Sequence, residues 1–234
     1  MLPRMLILLI LFPSLIAAED KPARSAKEAL QGFHNLIGTW KGTGTPSAGT
    51  REERDRRFWI ETIRWQWQFK GKDAWLSADI EKGKHFARFE LRYRPKTDDF
   101  SLAATTADKQ AHTFTGTLTN KRLTVDLIDP KTKETHRLVF SLLHADRHLY
   151  TSETRADGLT LFAKAYQVGA TKQGVAFATV NNGPECVVSG GLGTMPVSFK
   201  GKTYYVCCSG CRDAFKEDPA KYVKEFEERK KEKK

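Results

Sequence analysis

The chain has 234 residues, 39 Lys and Arg against 28 Asp and Glu, and a formal charge of +11 at neutral pH. That length leaves room for one ordinary domain and a small appendage, and little more. The basic residues are scattered among Asp and Glu rather than gathered in a stripe, which excludes a concentrated nucleic-acid face and leaves a solvated surface with affinity for anionic polymers.

Residues 1–18 carry Arg4, an apolar run over 5–12 and a small-residue end before Glu19 and Asp20. The run is too short to span a bilayer, and the pattern predicts a secretory signal peptide cleaved after Ala18. No later stretch is apolar for long enough to cross a membrane, so a soluble, secreted or periplasmic protein is expected. Residues 26–37 predict a short amphipathic helix with Ala29, Leu30, Phe33 and Ile37 on one face, ended by Gly38. Residues 38–44, Gly-Thr-Trp-Lys-Gly-Thr-Gly, predict a strand with Trp40 as a core candidate.

A series of strands follows. Residues 57–70 alternate, with Ile63, Trp65, Trp67 and Phe69 on one face and Thr62, Arg64, Gln66 and Gln68 on the other, the period of a half-buried strand. Residues 74–80, 85–93, 100–106, 112–118, 123–128, 136–143, 149–154 and 159–168 repeat the theme, separated by short polar turns such as Asn120-Lys121. About ten antiparallel strands with tight turns predict closure into an up-and-down β-barrel over 19–168, because so many strands do not remain a flat open sheet. A helix, then Gly-x-Trp-x-Gly at 38–42, then a meander resembles the lipocalin and fatty-acid-binding barrel superfamily. The resemblance implies a carrier of an apolar small molecule as one functional reading.

The barrel offers no motif of catalysis. His34, His85, His112, His136, His144 and His148 lack the close pairing of a zinc enzyme, and each reads as a surface or satisfied residue. Trp65 and Trp67 read as core filling. Asp79, Glu81, Glu90 and Asp126 show no spacing that selects an acid/base pair.

Residues 169–180 are expected to be a linker, with a strand over 175–180. Beyond it lie all four cysteines of the chain, Cys186, Cys207, Cys208 and Cys211. Cys186 opens a Gly-rich turn. Residues 195–199 and 203–206 flank Lys200-Gly201-Lys202 as a β-hairpin, and Cys207-Cys-Ser-Gly-Cys211 leads into a helix that Ser209 is placed to cap. A thiolate site needs sulfurs from two backbone segments on one ion, and this spacing supplies them. Cys211 in a first helical turn is favoured as thiolate. Neighbours on a strand point apart, so Cys207 and Cys208 are not expected to share one ion. Either Cys207 with Cys211, or Cys208 with Cys211, joined by Cys186, makes a three-sulfur site suited to Cu(I), Zn(II) or a softer heavy metal. Disulfide pairing is the other outcome that export would permit. A redox centre at Cys208-Ser-Gly-Cys211 is disfavoured, since that motif belongs on a thioredoxin-like βαβ frame.

Cys186, twenty residues, Cys207, three residues, Cys211 and the aromatic Phe215 together resemble the YHS/TRASH family of small treble-clef-like metal-binding domains, over residues 181–226. The tripeptide that names the YHS family is replaced by Val187-Val188-Ser189, and no His stands in the motif as a fourth ligand. The resemblance implies cysteine-sulfur coordination of a heavy-metal ion in trafficking, sensing or resistance, by a non-enzymatic protein. Residues 219–226 predict a helix with Tyr222, Val223 and Phe226 on one face, and 227–234 a frayed charged tail.

Overall fold

The structure is a computed structural model describing residues 24–174 and 183–232. The expected signal peptide and the strand expected at 175–180 lie outside the described residues. Ser25 opens the first element through a capping box: its hydroxyl accepts from the Glu28 amide at 3.2 Å and its own amide donates to Glu28 Oε2 at 2.9 Å. One helical turn, α1 (Ala26–Ala29), then tightens into a 3₁₀ helix, Leu30–Leu36. A single α-helix was expected here. Three residues per turn bring Leu30, Phe33 and Leu36 onto one line, and all three are buried. This helix closes one end of the barrel, with the Phe33 ring 5.2 Å edge-on to Phe100.

Ten strands form the closed antiparallel barrel: β1 (Gly38–Pro46), β2 (Trp59–Lys70), β3 (Asp73–Glu81), β4 (Phe86–Arg94), β5 (Asp99–Thr106), β6 (Ala111–Thr119), β7 (Arg122–Ile128), β8 (Thr135–His144), β9 (Arg147–Arg155) and β10 (Ala163–Lys172). Each pairs with its sequence neighbours, and β1 against β10 completes the ring, as the meander required. A short helix, α2 (Arg51–Arg56), lies between β1 and β2. The turn Asn120-Lys121 has positive φ at both residues, the backbone twist that two-residue hairpins favour. Inside, Trp40, Trp65, Trp67, Phe89, Phe140 and Tyr150 are all buried. Trp65 stacks on Phe89 at 6.2 Å and Phe140 on Tyr150 at 5.7 Å, pairs worth about 1 kcal/mol each beyond area burial.

The barrel reaches Lys172 rather than residue 168, because β10 stays in register with β1 as far as Trp40↔Lys172. The C-terminal unit contains a hairpin, β11 (Met195–Phe199) and β12 (Lys202–Val206), then helices α3 (Ser209–Glu217) and α4 (Pro219–Glu232). Its own core gathers Phe215 against Tyr204 at 6.0 Å and Phe199 at 6.4 Å, with Phe226 on Tyr204 at 6.2 Å. The expected fraying beyond Phe226 is not seen: α4 continues to Glu232, because Arg229 donates to the Val187 carbonyl at 3.0 Å and pairs with Glu185 at 3.4 Å. Among the described residues no helix is long and apolar enough to cross a membrane.

Candidate metal centre

The cysteines are assembled by backbone pairing. The Cys186 amide donates to the Gly191 carbonyl and the Gly190 amide returns to the Cys186 carbonyl, so the Gly-rich segment closes into a tight loop. The Val187 amide donates to the Tyr205 carbonyl at 2.8 Å, and Cys186 bridges Tyr205 in parallel. This lays Cys186 beside the end of β12, two residues before Cys207. α3 then begins at Ser209 and carries Cys211 in its first turn.

The sulfurs of Cys186, Cys207 and Cys211 lie within 4.8 Å of one another, with Cys207 Sγ and Cys211 Sγ 3.5 Å apart. An ion with metal–sulfur bonds of about 2.3 Å requires sulfurs about 3.8 Å apart in a tetrahedron or about 4.0 Å in a trigonal plane. The trio can therefore hold a metal ion. All four cysteines are free thiols, so the disulfide-stapled cap is not formed. Cys208 stands outside the trio: its sulfur is 3.9 Å from Cys207 Sγ and accepts the Trp67 amide at 3.4 Å. Cys207 and Cys208 lie beyond the end of β12 rather than on a strand, so their sulfurs are neighbours instead of facing apart; of the two open pairings it is Cys207 that lies within 4.8 Å of both Cys211 and Cys186.

Electrostatics differ among the four. Hydrogen bonding with Cys207 and Cys211 holds the Cys186 thiol well below its ordinary range, with the Ser189 amide adding a donor at 3.4 Å. Cys207 and then Cys211 likewise draw Cys208 down, helped by the Trp67 amide. Cys207 is pushed up by Cys186 and Cys208, and Cys211 by burial and then by its sulfur neighbours. The four sulfurs thus form one compact, electrostatically linked cluster, from which a bound cation displaces the remaining protons.

Several supporting groups carried no sequence signal. The Ser189 hydroxyl is 3.3 Å from Cys207 Sγ, and the Ser189 carbonyl accepts from Gln31 Nε2 at 2.6 Å. β1 pairs with β2 only as far as Gly38↔Trp65, so the edge of β2 beyond Trp65 lacks a barrel partner and the cysteine turn covers it. Gly210 lies so close that a Cβ there would sit 1.6 Å from the Trp67 carbonyl oxygen. Ser209 does not cap α3. Cys208 holds the N-cap position without a side-chain bond, and the Ser209 hydroxyl instead donates to Gln66 Oε1 at 2.8 Å.

Within the barrel, two residues depart from expectation. His148 is buried and neither ring nitrogen has a hydrogen-bond partner; its ring meets Trp40 edge-on at 4.4 Å, and burial lowers its pKa to about 3. It is neither a surface histidine nor a satisfied one. Glu61 is a buried carboxyl that accepts from Tyr150 at 2.7 Å and from Trp59 Nε1 at 2.8 Å. Its signal was its phase, since it shares the inward face of β2 with Ile63, Trp65 and Trp67. The carboxylates of Asp79, Glu81, Glu90 and Asp126 form ion pairs with arginines at the barrel surface.

No protein-family model matches the chain, and no curated protein matches it. Among solved structures the chain is similar to EF1p2_mFAP2b bound to DFHBI, at 12% identity and a TM-score of 0.25 over 61% of this chain and 98% of that one. A likeness at that score assigns neither superfamily nor activity to this chain.

Proposed function

We propose that this chain is an exported, non-enzymatic metal-binding protein that holds a soft or borderline ion, Cu(I) or Zn(II), through Cys186, Cys207 and Cys211, in metal trafficking, sensing or resistance. One observation carries the reading: three sulfurs from two chain segments lie within 4.8 Å of one another, as free thiols. Sulfur alone, without carboxylate or imidazole in the trio, selects soft and borderline ions over Mg or Ca. The spacing shared with YHS/TRASH domains supports the same conclusion, with Ser189, in the place of that family's tripeptide, set against Cys207. A carrier with a disulfide-stapled cap fits less well, because the cysteines are unpaired and large aromatic side chains occupy the barrel interior.

The test is the metal content of the reduced protein and of four single Cys→Ser variants after equilibration with Zn(II) or Cu(I). One ion per chain is expected for the native protein and for Cys208→Ser, with binding lost or severely weakened in Cys186→Ser, Cys207→Ser and Cys211→Ser. Metal uptake indifferent to all four replacements would remove the proposal.

A further inference from the structure

The cysteine trio has one open side. Cys186 and Cys211 are fully buried, whereas Cys207 is partly exposed. Cys207 and Cys208 line a cavity of about 440 Å³ between the barrel end and the C-terminal unit, and Cys186 and Cys211 do not. That volume is in the range of small-molecule sites. The cavity's polar wall carries Lys172, Arg64 and Gln66, and among the described residues no Asp or Glu lines it. Lys172 is held rigidly: its ammonium donates to the Asn35 carbonyl at 3.2 Å and lies 5.3 Å from the centre of the Trp40 ring. Gly38 leaves the room it occupies, since a Cβ there would meet Lys172 Cε at 2.9 Å. Arg64 is shared with Glu81 at 3.4 Å, so Lys172 is the principal cation of the wall.

Three protein sulfurs leave a tetrahedral ion one ligand short. Cys208, whose sulfur accepts the Trp67 amide and lies 3.9 Å from Cys207 Sγ, is not one of the three sulfurs that lie within 4.8 Å of one another, and among the described residues no His, Asp or Glu joins the trio. Resting on the metal-binding reading above, we propose that the cavity admits a small thiol-bearing carboxylic acid, whose sulfur completes the coordination of the ion while its carboxylate is met by Lys172. The incoming thiol binds as thiolate and gives its proton to solvent, so no oxidant or reductant is needed. The ion is then exchanged between the protein and an anionic small-molecule thiol complex, the form in which it enters and leaves.

The full-length protein loaded with one equivalent of Cd(II) is titrated with N-acetylcysteine, with 2-mercaptoethanol, which has no carboxylate, and with N-acetylalanine, which has no thiol. The ¹¹³Cd chemical shift and the sulfur count from X-ray absorption are followed. A rise from three sulfurs to four is expected, with N-acetylcysteine at least tenfold more effective than 2-mercaptoethanol and N-acetylalanine without effect. In Lys172→Gln the bound Cd(II) is retained and the preference falls to within about twofold. A count of four before any thiol is added would overturn the proposal, assigning the fourth position to the Cys208 thiolate if Cys208→Ser abolishes it, or to the Met195 thioether if Met195→Leu does, both residues lining the same cavity. Equal response to both thiols, or a preference unchanged in Lys172→Gln, overturns it as well. Failure of the protein to take up Cd(II) at all would instead refute the metal-binding reading on which it rests.

Discussion

Replacing Gly210 with Ala sets two effects of opposite sign against each other. Gly210 lies in the first turn of α3, where Ala is intrinsically favoured over Gly by up to about 1 kcal/mol. The new Cβ, however, would fall 1.6 Å from the Trp67 carbonyl oxygen and 2.7 Å from its carbon, roughly 2 Å short of ordinary contact. Both contacted atoms are backbone of a barrel strand and the Cβ is fixed to a helix, so no side chain can swing away. Separating them breaks the Ser209–Gln66 and Trp67–Cys208 hydrogen bonds, each worth about 1 kcal/mol, and leaves strain of about 1–3 kcal/mol. The clash outweighs the propensity gain, and a net loss of about 2–4 kcal/mol is expected, lowering Tm by roughly 5–15 °C for a chain of this size. Thermal melts followed by circular dichroism measure this, with metal stoichiometry as the control. The trio lies wholly within the C-terminal unit, so Gly210→Ala still binds one ion. An unchanged or raised Tm would refute the close approach of α3 to β2.

Glu61 supplies a pH-dependent prediction. Burial raises its pKa above the ordinary 4.5, against the opposing hydrogen bonds from Tyr150 and Trp59. The fold therefore prefers the protonated carboxyl, and the native state keeps a proton that the unfolded state has released. Its contribution is complete below about pH 4.5 and is lost as pH rises through the elevated folded value. Urea melts from pH 4 to 8 should show the native protein losing stability relative to Glu61→Gln as pH rises; a difference independent of pH contradicts the assignment. Arg229→Ala removes the bond to the Val187 carbonyl and the pair with Glu185 that steady the Cys186 loop. A loss of about 1 kcal/mol at this partly exposed site predicts metal affinity weaker by roughly threefold to tenfold. Chelator competition measures it, and unchanged affinity counts against a role for α4 in holding the loop.

The barrel was legible because its strands obey a simple period. Ile63, Trp65 and Trp67 alternate with Arg64 and Gln66, and tight turns such as Asn120-Lys121 leave no length for crossovers. The hairpin between Cys186 and Cys207 was legible for the same reason, being a local pattern. What was hidden depends on contacts between distant segments. The choice between Cys207 and Cys208 is made by the Trp67 amide, 141 residues away in the chain, on a strand edge exposed only because β1 begins at Gly38. Ser209 had the chemistry of a cap, but docking drew its hydroxyl to Gln66. Lys172 sits in a stretch with the composition of a linker, and only its register with Trp40 places it beside the cysteines. The charged end of α4 read as a frayed tail, whereas Arg229 is held against the Val187 carbonyl. Local propensity determines elements, whereas the partners of polar side chains are settled by which elements meet.

The central claim is that Cys186, Cys207 and Cys211 converge on one ion, and X-ray absorption at the zinc edge of the reduced, stoichiometrically loaded protein examines it most directly. Three sulfur scatterers at about 2.3 Å are expected, unchanged in Cys208→Ser, while whatever ion Cys207→Ser retains shows fewer. A first shell made only of nitrogen and oxygen, or a sulfur count that ignores Cys207, would contradict it.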